Sequence, residues 1–355
     1  MEAAVNEPGL PVEIGQIDWE LGRLWESSDD TKSRASLLNL VIYSELPEAM
    51  DSNTELIATI ASQHAFRAIL ILADPQAATS GARAWISAHC HLADKGGHQI
   101  CSEQITFRLD GESASSLPNI VFSHLDSDLP LCFWSQAEFR EPLDEQLWTW
   151  VDRLIFDSAT WRKPVEQFAL AQKILSITDG GTVLCDLNWT RLHRWRLALA
   201  NVFDHSAALA CLQEITRVRI ECALGERVKA LLLLGWFSVQ LGWRLQHLLS
   251  ENFFLAKSGK QIEIEISEAE GAGITFVELS GEEFRFKLER PDAAGFFHAS
   301  LHAPGIPDCT MTIGAGPDRP GDILLAELSR GGRHPLFAGA LDAIRPLLPD
   351  MVARQ

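Results

Sequence analysis

Apolar residues arrive along this chain in short bursts, and their period changes between the two halves. Leu37–Tyr43 and Arg67–Leu72 are compact apolar runs, each too short for a buried helix and rich in branched side chains, so each reads as a buried strand. Glu55–His64 lies between them with helical spacing. Strand, helix, strand at this separation predicts a βαβ unit with a parallel pair. Ala84–Leu92 and Gln99–Leu109 alternate and are joined by Ala93-Asp94-Lys95-Gly96-Gly97. Glycine supplies the positive φ of a tight turn, so a hairpin is expected. Ser116–Leu125 and Leu143–Val151 read as helices, Leu129–Trp134 and Leu154–Phe156 as strands.

The pattern before residue 31 is polar, with a short helix near Trp19–Trp25, and residues 1–30 read as an arm. Charge and proline interrupt the pattern again at Trp161-Arg162-Lys163-Pro164. Residues 31–164 are therefore expected to form an N-terminal α/β domain with a mixed sheet. Helices at Glu166–Leu175 and Trp189–Phe203, a strand at Ile215–Cys222 and a long helix at Glu226–Leu249 follow. Beyond them come short alternating segments: Gln261–Ile266, Gly273–Leu279, Glu283–Glu289, Phe296–His302, Thr310–Ile313 and Ile323–Leu328, with Gly, Pro and Asp between. These predict an antiparallel meander, closed by a helix at Phe337–Leu348. Residues 165–355 thus read as an α+β domain, and the fold class as α/β.

Composition narrows the function classes. The 355 residues are 46% hydrophobic and 22% charged, ordinary for a soluble globular protein. The net charge of −18 repels phosphate backbones and anionic lipid, so neither nucleic acid nor a membrane surface is an expected partner. The start has no basic region and no apolar run, and the longest apolar stretch, Ala230–Trp243, is short of the ~20 residues a span needs. The seven cysteines are odd in number and show no Cys-x-x-Cys pair, which fits reduced thiols in a cytoplasm.

Catalytic motifs are missing. There is no Gly-x-x-x-x-Gly-Lys-Ser/Thr loop, no Gly-x-Gly-x-x-Gly after a strand, no Gly-x-Ser-x-Gly elbow and no His-Glu-x-x-His. His124 and Asp126–Asp128 hold triad residue types, but adjacency in sequence is not triad geometry. His89, His91, His98 and Cys101 suggest a metal at the hairpin, yet Ile86, Ala88, Cys90 and Leu92 take the apolar face and leave the histidines to a wetter one. No metal is expected. A turn at Lys95-Gly96 sets Cys90 opposite Cys101, a possible redox pair. Directly opposed strand positions suit a relaxed disulfide poorly, so both are expected as free, buried thiols, with any bond between them readily reduced.

Asp186-Leu-Asn-Trp-Thr-Arg-Leu-His-Arg-Trp-Arg196 stands out in so acidic a chain. Leu192, Trp195, Leu199 and Val202 follow at helical spacing, and Asp186 or Asn188 can cap the helix. Two readings stay open. Arg191, Arg194 and Arg196 with the start of the helix can meet an anion or a partner's carboxylates. Alternatively the arginines pair with the chain's own acids and the tryptophans are core. With Leu192 and Trp195 facing inward, Arg191 and Arg194 are offset by about 100° and can reach solvent.

Six segments in order resemble the OpcA family, the glucose-6-phosphate dehydrogenase assembly proteins: Arg34–Val41, His64–Leu70, Ile100–Ile105, Asp128–Trp134, Asp152–Ser158, and Asp186–Arg191 through Trp195-Arg196. The resemblance covers roughly residues 30–250. It implies a non-catalytic cytoplasmic factor of the oxidative pentose phosphate pathway, without a cofactor of its own, that binds the dehydrogenase and promotes its active oligomer. Some photosynthetic members are linked to thioredoxin through cysteines. On this resemblance Asp186, Trp189, Arg191, Arg194, Arg196 and Asp128 are candidate partner-binding residues. The alternative is a sugar-phosphate enzyme or regulatory module that uses the helix start near Arg191 as its phosphate site.

Overall fold

Each apolar burst of the first half becomes a strand of one nine-stranded sheet. In a computed structural model that describes residues 8–26, 32–92, 99–204, 206–248, 251–291, 295–316 and 319–349, the elements run β1 (Leu10–Val12), α1 (Ile17–Glu26), β2 (Lys32–Arg34), β3 (Asn39–Ser44), α2 (Ala49–Ala61), β4 (Arg67–Asp74), β5 (Gly81–Leu92), β6 (Gln99–Asp110), α3 (Leu117–His124), β7 (Leu131–Ser135), α4 (Glu145–Thr149), β8 (Arg153–Phe156), α5 (Pro164–Ile177) and β9 (Val183–Asp186). The strand order is β1-β5-β6-β4-β3-β7-β8-β9, with β2 on β6. β6, β4, β3, β7 and β8 run parallel, while β5 and β1 are antiparallel. Strands covered on both faces read as unbroken apolar runs. Accordingly Leu40, Val41, Ile42, Ala68, Ile69 and Ile71 are fully buried.

The second sheet has eight strands. After α6 (Leu187–Arg191), α7 (His193–Val202) and α8 (Ser206–Cys211) come β10 (Arg217–Ala223), α9 (Arg227–Leu241), β11 (Arg244–Leu248), β12 (Glu251–Leu255), β13 (Gln261–Ala269), β14 (Ile274–Ser280), β15 (Arg285–Glu289), β16 (Phe296–Ala303) and β17 (Ile306–Gly314). Their order is β11-β12-β13-β10-β14-β15-β16-β17. Among the described residues of this sheet only the β10–β13 pairing is parallel; β14 to β17 form an antiparallel meander, while Gln261–Ala269, expected as its first strand, lies parallel beside β10 instead. The helix Pro335–Ile344 packs on α9.

Three sequence expectations change. The long helix expected to Leu249 stops at Gly242, whose φ of 67° closes the turn, and 244–248 is a strand. Ile323–Leu328 is not a strand but part of the helix Pro320–Leu328, which proline opens and Asp322 supports in the first turn. The helix expected over Trp189–Phe203 is two helices, parted at Leu192. The chain divides into two units that are not consecutive, as 31–164 and 165–355 would be. Unit 1 is residues 1–156, 169–185 and 320–332; unit 2 is 157–168, 186–319 and 333–355. The segment read as a polar arm supplies β1, which pairs with β5, and α1, whose Ile17 and Leu21 are buried.

Candidate functional site

The Asp186–Arg196 segment begins where β9 ends. Asp186 has extended backbone and caps α6, accepting from the Asn188 N–H at 2.9 Å. The same carboxylate accepts from Ser158 twice, from the backbone N–H at 3.0 Å and from the hydroxyl at 2.7 Å. Asn188 Nδ2 donates to the Ser158 hydroxyl at 3.1 Å. Asp186 and Asn188 are fully buried. Burial, and second the neighbouring Asp157, push the Asp186 carboxyl up to about 7, against the pull of the Ser158 and Asn188 donors.

The arginines divide by what they touch. Arg191 holds Asp157 bidentately, at 2.7 and 2.6 Å, and keeps a quarter of its side chain in solvent. Arg196 is buried, with its guanidinium 3.8 Å from the centre of the Trp189 ring and Nη1 donating to the Trp189 carbonyl at 3.0 Å. Trp189 in turn packs on Phe337, and Trp195 meets Phe297 edge to face at 4.8 Å. Leu192 and Trp195 do face the core. Arg194 is exposed and lies against Gly316, and among the described residues no carboxylate pairs with it. Of the two readings, the structure favours core tryptophans and internal pairing for most of the segment: Asp186 is enclosed by Ser158 and Asn188, Arg191 pairs with Asp157, and Trp189 and Arg196 enclose each other. Arg194 and the rim of Arg191 face water. The helix start that was the alternative phosphate site is answered internally by the Asp186 carboxylate.

Asp128 belongs to unit 1 and is exposed. Its loop is pinned by Asn39, which donates to the carbonyls of Asp126 and Leu129 and accepts from the Asp126 N–H. The other family-like segments of unit 1 are clasped the same way. Arg67 pairs with Glu103 at 3.0 Å, both buried, and Asp152 accepts from the Leu131 N–H at 2.7 Å. These clasps are what residue types alone did not show, since each joins positions far apart in sequence.

The hairpin register is the expected one, with Cys90 directly across from Cys101. The expectation of free thiols is corrected: the two are joined by a disulfide. Their Cα atoms are 4.0 Å apart, at the narrow of the two spacings of an antiparallel pair. Cys101 is buried and Cys90 exposed, because the apolar face of β5 ends at Ile86. Cys101 thus offers no thiolate to a metal, and His89 bonds to Gln104 at 2.7 Å. His98 lies outside the described residues.

A doubly wound sheet places ligands outside the carboxyl ends of its strands where the order reverses, here β3 and β7. A dinucleotide needs a glycine turn there and a helix start open to phosphate. This chain has Glu45-Leu46-Pro47-Glu48 instead, and Glu48 and Asp51 flank the start of α2. Arg140, beyond β7, grips Glu45 with two bonds of 2.6 Å. Asn53 and Gln136 exchange bonds of 2.9 and 2.8 Å across the same crevice. Burial, then Glu45, push the Tyr43 phenol up. The residues present do not fit a dinucleotide phosphate, because carboxylates and a protein ion pair occupy its place.

A two-unit α/β protein, with an ion pair between Glu45 and Arg140 beyond the carboxyl ends of β3 and β7, is the class that fold and site define. The chain belongs to the OpcA family. Residues 57–173 match the glucose-6-phosphate dehydrogenase subunit N-terminal domain and residues 182–341 the corresponding C-terminal domain. It is 27% identical over 198 residues to an OxPP cycle protein OpcA of Nostoc punctiforme, across 53% of this chain and 42% of that one. To the protein of the same description in Synechococcus elongatus it is 30% identical over 162 residues, across 45% of this chain and 36% of that one. The matched region is less than half the length of each relative. Among solved structures it is similar to an NAD-binding protein from Listeria innocua (TM-score 0.45, 11% identity, 90% of this chain and 94% of that one). It is also similar to an aldose-aldose oxidoreductase from Caulobacter crescentus (TM-score 0.47, 12% identity, 89% and 98%).

Proposed function

We propose that this chain is a non-catalytic assembly factor and activator. It binds glucose-6-phosphate dehydrogenase in the cytoplasm and promotes that enzyme's active oligomer in the oxidative pentose phosphate pathway. Family membership supports the partner. The observation that carries the non-catalytic half is the crevice, where Glu45 and Arg140 stand in the place of a dinucleotide phosphate. Among the described residues no helix is long and apolar enough to cross a membrane. Arg194, the outer edge of Arg191 and Asp128 are the candidate residues left open to a partner.

The test adds the purified chain to its cognate dehydrogenase and follows NADPH formation. The chain alone should oxidise no glucose 6-phosphate and release no heat on titration with NADP. With the dehydrogenase it should raise the rate or the apparent substrate affinity. The Arg194→Ala variant should weaken that effect, and high salt should mimic the loss in part by screening an exposed charge. No kinetic effect together with no co-elution at micromolar concentration would overturn the reading.

A further inference from the structure

The eight-stranded sheet of unit 2 has an open face whose charges are sorted by strand over two of its rows. Along β10, Val218, Ile220 and Cys222 are buried, and Arg217, Arg219 and Glu221 alternate with them toward solvent. β14 and β15 repeat the alternation, burying Val277, Leu279, Phe286 and Leu288. The register sets the outward residues in rows. One row reads Glu263, Arg217, Ser280, Arg285 across β13, β10, β14 and β15. The next reads Glu265, Arg219, Glu278, Lys287. In these two rows β13 carries acids and β15 bases, with bases on β10 and an acid on β14 between them; the third row, Ser267, Glu221, Phe276, Glu289, ends the pattern. The face is close to balanced on a chain whose net charge is −18. Two copies repel each other on average, so a balanced face is where they can meet.

We propose that this face is the contact between two copies of the chain, related by a two-fold axis lying between the sheets and parallel to the strands. Rotation about that axis reverses the strand order and keeps each row at its own level. β13 then faces β15 of the second copy, and β10 faces its β14. In the first row Glu263 meets Arg285 of the second copy. In the second row Glu265 meets Lys287 of the second copy, and Arg219 meets its Glu278. Each contact occurs twice, which is the self-complementarity an isologous interface requires. Facing sheets align to within about 30°, so the rows stay in register near the axis.

Within one chain these charges make exposed or half-buried pairs, such as Arg217–Glu265 at 2.8 Å, with both side chains in solvent, and Arg285–Glu278 at 3.9 Å, with Glu278 half-buried. Exposed pairs contribute little to the fold, so stability does not explain their sorting. The face is also large enough. Six strands about 4.8 Å apart and about seven residues long, at roughly 3.3 Å each, project to about 550 Å² per copy. Two copies bury about 1,100 Å² before side-chain relief is counted, above the ~1,000 Å² that separates specific interfaces from incidental ones.

The experiment is sedimentation of the full chain with charge-swapped variants. Arg285→Glu with Lys287→Glu makes β15 acidic; Glu263→Lys with Glu265→Lys makes β13 basic. The unaltered chain should dimerise at micromolar concentration. Each variant alone sets like charges opposite each other and should raise the dissociation constant by about 100-fold or more. An equimolar mixture of the two should recover the dimer, because the acidic β13 of one meets the basic β15 of the other, and the acidic β15 meets the basic β13. Thermal melts confirm that each variant folds. Should a reversal unfold, Arg285→Gln with Lys287→Gln removes the attraction without repulsion and should weaken the dimer about 10-fold. A monomeric unaltered chain at 100-fold higher concentration overturns the proposal, as does a dimer that survives both variants or a mixture that stays monomeric. A monomeric chain whose variants lose dehydrogenase binding assigns the face to that enzyme and equally overturns the second-copy reading.

Discussion

Ser158 gives both of its donors to Asp186, its backbone N–H to one carboxylate oxygen and its hydroxyl to the other. Both residues belong to unit 2, Ser158 just after β8 and Asp186 at the end of β9. The clasp thus ties together two points of unit 2 that lie 28 residues apart in the chain. A carboxylate with no exposure and a cluster of donors is a structural anchor, and its protonation belongs to the folding equilibrium.

That linkage has a definite sign. The Asp186 carboxyl is raised from 3.8 to about 7 in the folded chain. A raised value means the folded state holds an extra proton between the two, so the contribution is complete below about pH 4 and is lost as pH rises through about 7. Unfolding by denaturant should therefore show a stability decline between about pH 4 and 7 and little change above that. Asp186→Asn keeps an acceptor oxygen for the two amides and removes the ionisation, so the decline should flatten. Asp186→Ala leaves the Ser158 and Asn188 amides unpaired and should cost about 2–4 kcal/mol at both pH values. An Asn variant with an unchanged pH profile would show that Asp186 does not titrate in this range.

Arg191 and Arg194 should behave differently, although the sequence treats them alike. Arg191→Ala strips Asp157 of a bidentate partner in a partly enclosed setting, and should lower stability by about 1–2 kcal/mol. Arg194→Ala removes an exposed side chain and should stay within about 0.5 kcal/mol. Melting temperatures of the two single variants decide this; equal shifts would mean that the Asp157 pair contributes nothing.

How much of this was legible in the sequence depends on the range of each interaction. The turn expected at Lys95-Gly96 lies outside the described residues, but the register it predicts, Cys90 opposite Cys101, is the one observed, because the position of a turn determines every pairing beyond it. Leu192 and Trp195 were placed correctly on the core face by helical period alone. The Ile323–Leu328 strand failed because a short apolar run has no decisive period, and the better signals were Pro320 and Asp322 just before it. Gly242 was passed over because Leu245 and Leu248 continued the apolar pattern beyond it. The enclosure of Arg196 was invisible for another reason: Trp189 lies seven residues back, across the break at Leu192, outside the three- and four-residue neighbours that helix reasoning considers. The Ser158–Asp186 clasp has no local signature at all.

Gly235 offers the sharpest stability test. It lies inside α9, where alanine would ordinarily improve a helix by about 1 kcal/mol. Here the backbones of α9 and the helix Pro335–Ile344 approach so closely that a Cβ on Gly235 would sit 2.4 Å from the Ala340 carbonyl oxygen and 2.9 Å from its carbon. Backbone atoms cannot rotate away, so the helices must separate. Gly235→Ala should cost about 3 kcal/mol, the upper end for overpacking, despite the propensity gain. Gly339 faces α9 from the other helix, but its nearest neighbour is a methyl of Val239 at 3.1 Å, which can shift by a few tenths of an ångström. Gly339→Ala should therefore fall within about 1 kcal/mol of the unaltered chain, the strain offset by the helix gain. Denaturant midpoints of the two variants measure the difference directly. If Gly235→Ala is as well tolerated as Gly339→Ala, the two helices are not held at backbone contact.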